Sequence, residues 1–179
     1  MRRQRLFCYA RDYGGWISAA AATELGASRR VGRGVECVIF VGLQGSGKSA
    51  FFKAEFADTH VRINRDMLKT KSREAQFFEL CLATGQRCVV DNTNPTIEER
   101  ARFIGPAKAR GFRLVAYYFD VPAREALARN NARPKEQRVP APGVFATAKR
   151  MQRPSASEGF DAVFRVVPTE GRFEVTREP

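Results

Sequence analysis

Gly42-Leu43-Gln44-Gly45-Ser46-Gly47-Lys48-Ser49 carries the sharpest chemical signal in the chain. It fits the spacing G-x-x-x-x-G-K-[ST]. Glycines at those places let the backbone curl until successive N–H groups converge on phosphate oxygens. A helix starting where the loop ends turns its positive dipole end toward the same anion. Lys48 then neutralises charge on the β- and γ-phosphates, and the Ser49 hydroxyl offers a ligand to Mg²⁺. The bland alternative is a glycine-rich turn with no ligand. The apolar run before the loop and the amphipathic segment after it argue for a nucleotide. The loop does not say what receives the phosphate.

Two acid-bearing segments bear on that question: Ile63-Asn64-Arg65-Asp66 and Val90-Asp91-Asn92-Thr93-Asn94-Pro95. A carboxylate beside the nucleotide accepts the proton of an alcohol nucleophile. Phosphoryl transfer demands mainly alignment and charge neutralisation, so one well-placed acid suffices. Asp is also a favoured helix N-cap, so by position alone Asp66 reads equally as base or cap.

The elements that must position these residues are legible in the pattern. Residues 37–41 form a continuous apolar run, as for a strand buried on both faces. A helix is expected over 48–56, a strand over 61–63, a helix over 72–83 and a strand over 87–90. Pro95 opens a helix to about residue 110, closed by Gly111. A strand over 112–119, helices over 122–131 and 142–152, and a strand over 161–167 complete the series. This alternation predicts an α/β sandwich, a mostly parallel sheet with helices on both faces. Both acid-bearing segments then follow the carboxyl ends of strands, where such sheets place ligands.

The whole chain sets the boundary conditions. Its 179 residues, 44% hydrophobic, suit one domain with one core. Residues 1–34 stand apart: seven arginines face two acids, and five glycines break up any long element. They read as a basic extension, either a nucleic-acid arm or a poorly ordered segment. An upstream start codon that is not the true one gives the same pattern. Residues 35–179 form the second unit. The net charge of +12 and pI near 10.2 favour a polyanionic partner. Cys8, Cys37, Cys81 and Cys88 make no C-x-x-C pair, and His60 is the only histidine. That argues against a zinc site and against Cys–His or Ser–His catalysis. The thiols read as reduced, in a cytoplasmic protein. No membrane span or signal peptide is expected.

The series GLQGSGKS (42–49), INRD (63–66), DNTNP (91–95), FDVP (119–122), ARNNAR (128–133) and the late P-x-x-x-E-G-F (154–160) resembles the 5′-polynucleotide kinase family of P-loop NTPases. That family comprises the kinase domain of the polynucleotide kinase–phosphatases and the phage and bacterial RNA-repair kinases. The resemblance covers about residues 37–167. It implies a P-loop kinase fold with a helical lid at about 122–140, ATP on Gly42, Gln44, Gly45, Ser46, Gly47, Lys48, Ser49 and Ala50, and Mg²⁺ on Ser49 and Asp91. Asp66 matches the general base for the 5′-hydroxyl. Arg129 and Arg133 match lid arginines that close over the phosphates, work suited to a planar charged fork. The plainer reading of that pair is a solvated helix face at i, i+4. Whether Asp91 or Asn92 supports the metal or the base stays open, because family members carry their acid at either place. The acceptor is expected on Arg65, Lys69, Asn92, Asn94 and Arg100. Lys69 is a departure, since phage-type members have an arginine there. No D-x-D acid pair occurs, so no phosphatase activity is expected, and separate phosphatase and ligase proteins are the expected partners.

The expected reaction is therefore transfer of the ATP γ-phosphate to the 5′-hydroxyl of DNA or RNA. Two rivals remain: a kinase of a small-molecule hydroxyl, and a nucleotide-switched nucleic-acid-binding protein without phosphotransfer. Neither DNA against RNA nor ATP against GTP is decided by these residues.

Overall fold

The computed structural model describes residues 35–169 and 171–179; the basic extension read over 1–34 lies outside them. The apolar run at the start becomes β1 (Glu36–Gly42), the central strand. It is followed by α1 (Lys48–Glu55), β2 (Val61–Ile63) and the short α2 (Arg65–Leu68). Next come α3 (Lys71–Thr84), β3 (Cys88–Val90), α4 (Ile97–Ala109) and β4 (Arg113–Phe119). The last part holds α5 (Ala123–Asn131), α6 (Ala141–Arg150), β5 (Ala162–Thr169) and β6 (Arg172–Arg177). Single 3-10 turns lie at Lys135–Gln137 and Ala156–Glu158.

The sheet order is β2-β3-β1-β4-β5-β6. The first five strands are parallel, and β6 runs antiparallel to β5. Alternation along β1 feeds two cores. Cys37, Ile39 and Val41 face Phe78, Cys81 and Leu82 of α3 and Phe103, Ile104 and Ala107 of α4. Val38 and Phe40 face Phe51, Phe52 and Phe56 at the α1 side, with Tyr117 and Phe119 of β4. Phe51 sits 5.3–5.9 Å from the rings of Phe40, Phe56, Tyr117 and Phe119. Each buried aromatic ring contributes about 1.5–3 kcal/mol, so this cluster pins α1, and with it Lys48, to the sheet.

The α/β sandwich is as expected, and Cys37, Cys81 and Cys88 are buried free thiols. No helix among the described residues is long and apolar enough to cross a membrane. Three details depart from the pattern. β6 was not expected: Arg172-Phe-Glu-Val-Thr-Arg177 alternates polar and apolar, yet becomes a strand through pairing with β5, and Phe173 closes on Phe51 at 5.0 Å. Asn64 to Leu68 tightens into α2, too short for periodicity to show. The helix after Pro95 starts only at Ile97, because the Thr96 side chain accepts from the Glu99 N–H and caps it.

Candidate active site

β1, β2 and β3 end side by side, and the segments after them meet in a cleft of about 230 Å³. The chain goes from β1 to one side of the sheet and returns to its other side with β4, the switch at which parallel sheets open a crevice. Hydrogen bonds lock the segments together. Gly42 N–H donates to the Thr93 carbonyl at 3.0 Å, and Asp91 N–H donates to Ile63 at 2.9 Å. The Asn94 amide donates to the Phe40 carbonyl at 2.8 Å.

The phosphate loop takes the shape its glycines allow. Gly47 caps α1 with φ 97°, and Gly45 has φ 82°. A Cβ on Gly45 would lie 2.2 Å from the Ala126 carbonyl oxygen, so α5 rests directly on the loop. Gln44, Gly45, Ser46, Lys48 and Ser49 line the cleft. Gly42, Gly47 and Ala50 shape the loop and first helical turn without lining it.

Lys48 is buried. Its ammonium donates to the carbonyls of Gly42 at 2.9 Å and Leu43 at 2.6 Å. Burial pulls its pKa down to about 8; Asp91 and Asp66 pull it back up, and Arg133 adds to the depression. Lys48, Asp66, Asp91 and Arg133 therefore feel one another's charge, and Lys48 makes no direct ion pair among the described residues.

Asp66 is exposed and lines the cleft. The cap reading for it fails: Asn64 is the N-cap of α2, accepting from Met67 N–H at 3.1 Å. Arg65 also lines the cleft. Its N–H donates to the Asn92 side chain at 3.0 Å, its guanidinium reaches Glu74 at 3.2 Å, and its Nε has no protein partner. Asn92 lines the cleft and donates to the same Glu74. Arg133 also lines the cleft, with Gln137 and Val139.

Ser49 and Asp91 are the two groups expected to hold Mg²⁺. One nitrogen of Arg62 donates to both the Ser49 hydroxyl, at 2.8 Å, and the Asp91 carboxylate. The two oxygens therefore both lie within hydrogen-bond distance of one nitrogen. Hard oxygen ligands, with one carboxylate and the rest left to phosphate and water, suit Mg²⁺.

Four expected residues are placed otherwise. Arg100 is completely buried: its guanidinium is bound by Glu158 through two bonds of 2.6 and 2.8 Å and by the carbonyls of Asn94 and Gln152. It clamps α4 to the late turn, and with four of its five N–H donors used and no surface exposed it is closed to an acceptor phosphate. Asn94 borders the cleft, but its amide is spent on Phe40 and Val90, so it is a strut. Arg129 pairs with Glu125 one turn away and reaches the Pro168 carbonyl at 3.5 Å; it does not line the cleft. That is the helix-face arrangement the i, i+4 spacing left open. Lys69 ends α2 at φ 70°, exposed and off the cleft.

Sequence reading missed Arg62, Glu74 and Asn130. A charged residue inside the apolar strand 61–63 was the available signal for Arg62. Glu74, fully buried, gathers Arg65, Arg102 and Asn92, and nothing local marks it on an ordinary-looking helix face. Asn130 is buried and exchanges two hydrogen bonds with Val139, at 2.8 and 3.0 Å, which holds that wall against α5.

Comparison with known proteins bears on family and fold. Residues 37–155 match the family described as AAA domain. The bifunctional polynucleotide phosphatase/kinase of Schizosaccharomyces pombe is 32% identical over 144 residues, 73% of this chain and 33% of the relative. The chain thus spans about a third of the length of the curated relatives it matches. Among solved structures, a gluconokinase from Sinorhizobium meliloti superposes with TM-score 0.54 at 16% identity, over 78% of this chain and 86% of that one. Chaetomium thermophilum Kti12, in complex with ADP-AlF3, superposes with TM-score 0.56 at 13% identity, over 73% and 88%. At such identities these two show the fold alone. The matched family, the fold and the loop at 42–49 agree, and the chain belongs to the AAA-domain family of P-loop NTPases, with polynucleotide phosphatase/kinases among its relatives.

Proposed function

We propose that the chain transfers the γ-phosphate of ATP to the 5′-hydroxyl end of a DNA or RNA strand. The observation that carries this reading is the exposed Asp66 carboxylate, freed from helix capping, on the same cleft as Lys48 and the phosphate loop. ATP would lie on residues 44–49 with its phosphates toward Lys48. Mg²⁺ on Ser49 and Asp91 would neutralise charge on the β- and γ-phosphates. Asp66 would take the proton of the attacking hydroxyl. Arg65, which lines the cleft with its side chain 40% exposed, would hold the acceptor's backbone phosphate, oriented by Asn92 and Glu74. Arg133 would close over the transferring group from α5 and the turn after it, which act as the lid.

Two further facts support a polynucleotide over a small alcohol. The Schizosaccharomyces pombe relative carries polynucleotide in its name. Subtracting the +5 of residues 1–34 from +12 leaves +7 on residues 35–179, so the folded part is itself basic.

The test is labelled ATP with 5′-hydroxyl DNA and RNA oligonucleotides beside a panel of small alcohols. Label is expected on the oligonucleotides. Asp66→Asn should lower turnover by about 10²–10⁴-fold while ADP affinity holds. Label on a small alcohol alone would give the reading to a small-molecule kinase. No transfer at all, with ADP bound tightly, would give it to a nucleotide-switched binding protein.

A further inference from the structure

Arg62 is the middle residue of β2, between Val61 and the core residue Ile63. Strand alternation sends its side chain to the face opposite Ile63, where its guanidinium lies 5.2 Å from the centroid of the Phe52 ring. From there it reaches the C-terminal edge of the sheet. Nε donates to Asp91 Oδ2 at 2.8 Å, and Nη2 donates to that same oxygen and to Ser49 Oγ, at 2.8 Å from the latter. The Asp91 side chain is 2% exposed, and Arg62 is its ion-pair partner. Asp91 is therefore a buried carboxylate whose charge is balanced by Arg62 and by no other arginine or lysine within salt-bridge distance among the described residues.

These are the two oxygens offered to a divalent cation. Mg²⁺ takes oxygen ligands at about 2.0–2.1 Å in near-octahedral geometry. A guanidinium nitrogen bridging both oxygens uses the lone pairs that the metal would use, and it brings a like charge to the same point. We infer that Arg62 competes with the metal: its guanidinium occupies the seat between Ser49 and Asp91, and a nucleotide-bound cation must displace it. The inference rests on the reading of the loop at 42–49 as a nucleotide site, and not on which hydroxyl is phosphorylated. The displaced side chain has somewhere to go. It is 25% exposed and keeps the Phe52 ring to slide over.

Competition makes a prediction that a structural role does not. Removing Arg62 leaves Asp91 buried without a partner, so the nucleotide-free protein loses stability on either view. A structural residue would carry metal affinity down with it. A competitor does the reverse, because apparent affinity is divided by the fraction of protein whose seat is open. If Arg62 holds the seat nine-tenths of the time or more, its removal tightens metal binding about tenfold or more.

The experiment uses the full chain with Arg62→Met, which keeps the apolar stem on Phe52 without charge, and Arg62→Lys, which keeps charge on a side chain one atom shorter and without the guanidinium fork. Mn²⁺ binding to the protein–ADP complex is read from the electron paramagnetic resonance signal of free Mn²⁺, with ADP affinity measured separately in EDTA. Melting temperature in EDTA is recorded for each variant. Expected are a lower melting temperature for Arg62→Met, Mn²⁺ affinity raised about tenfold or more, and Arg62→Lys between it and the wild type. Unchanged or weaker Mn²⁺ affinity with intact ADP binding overturns the inference alone. Should Arg62→Met not fold, Arg62→Lys takes its place, and no gain in Mn²⁺ affinity there overturns the inference. Failure of the wild type to bind ADP in EDTA refutes the nucleotide reading and the inference with it.

Discussion

Lys48 should make nucleotide binding depend on pH in a way that an ordinary surface lysine cannot. Its ammonium is buried against the carbonyls of Gly42 and Leu43, and burial brings its pKa from the ordinary 10.5 to about 8. A difference of that size corresponds to about 3 kcal/mol against the charged form. The unfolded chain holds this proton up to 10.5, while the folded protein releases it near 8. Between those values the unfolded state binds more protons, so this group's contribution to stability rises with pH across the window; below 8 the folded state carries the full penalty. A bound diphosphate supplies the missing negative charge and returns the pKa upward. ADP binding above pH 8 must then take up a proton, and affinity should weaken by up to about tenfold per pH unit. Proton uptake is expected to be about 0.2 at pH 7.5 and about 0.9 at pH 9. The assay is titration calorimetry in EDTA, in two buffers of different ionisation enthalpy, on wild type and Lys48→Met. The variant should bind ADP weakly and without pH dependence. Its nucleotide-free form should equal or exceed wild-type stability at neutral pH, by up to about 3 kcal/mol. Absence of uptake near pH 9 in the wild type, or equal uptake in Lys48→Met, would refute the reasoning.

Arg100→Ala should destabilise the fold by about 3–5 kcal/mol in urea titration, since it leaves Glu158 unpaired in a site where the side chains are 0% and 4% exposed. Normal stability with selectively weakened acceptor binding would restore the substrate role that its burial denies it. Gly45→Ala meets the Ala126 carbonyl oxygen at 2.2 Å from a φ of 82°, so the loop and α5 must separate. ADP affinity should fall by about 1–3 kcal/mol with circular dichroism unchanged, and retained affinity would mean the loop yields freely.

What the sequence determined was whatever depends on short segments. The run Cys37-Val-Ile-Phe-Val41 had to be a buried strand, and the glycine–lysine–serine spacing after it had to curl around an anion. The alternation of elements set the sheet's parallel character, and the ends of its strands located Asp66 and Asp91. The tertiary structure decided everything that depends on who sits opposite. Arg100 and Arg65 are the same side chain in similar local settings. One is enclosed by Glu158 and two carbonyls, the other lines the cleft with its side chain 40% exposed, and only packing separates them. Arg129 and Arg133 share one helical face by spacing, yet Glu125 holds the first while the second lines the cleft. Arg62 became a partner of Ser49 and Asp91 because β2 lies beside β3 and its side chain crosses the strand ends. β6 exists because β5 offered an edge and Phe51 a surface for Phe173. Backbone conformation and anion affinity are properties of neighbours in sequence. The environment of a charge is a property of neighbours in space, and that is why the loop was legible and the company of each arginine was not.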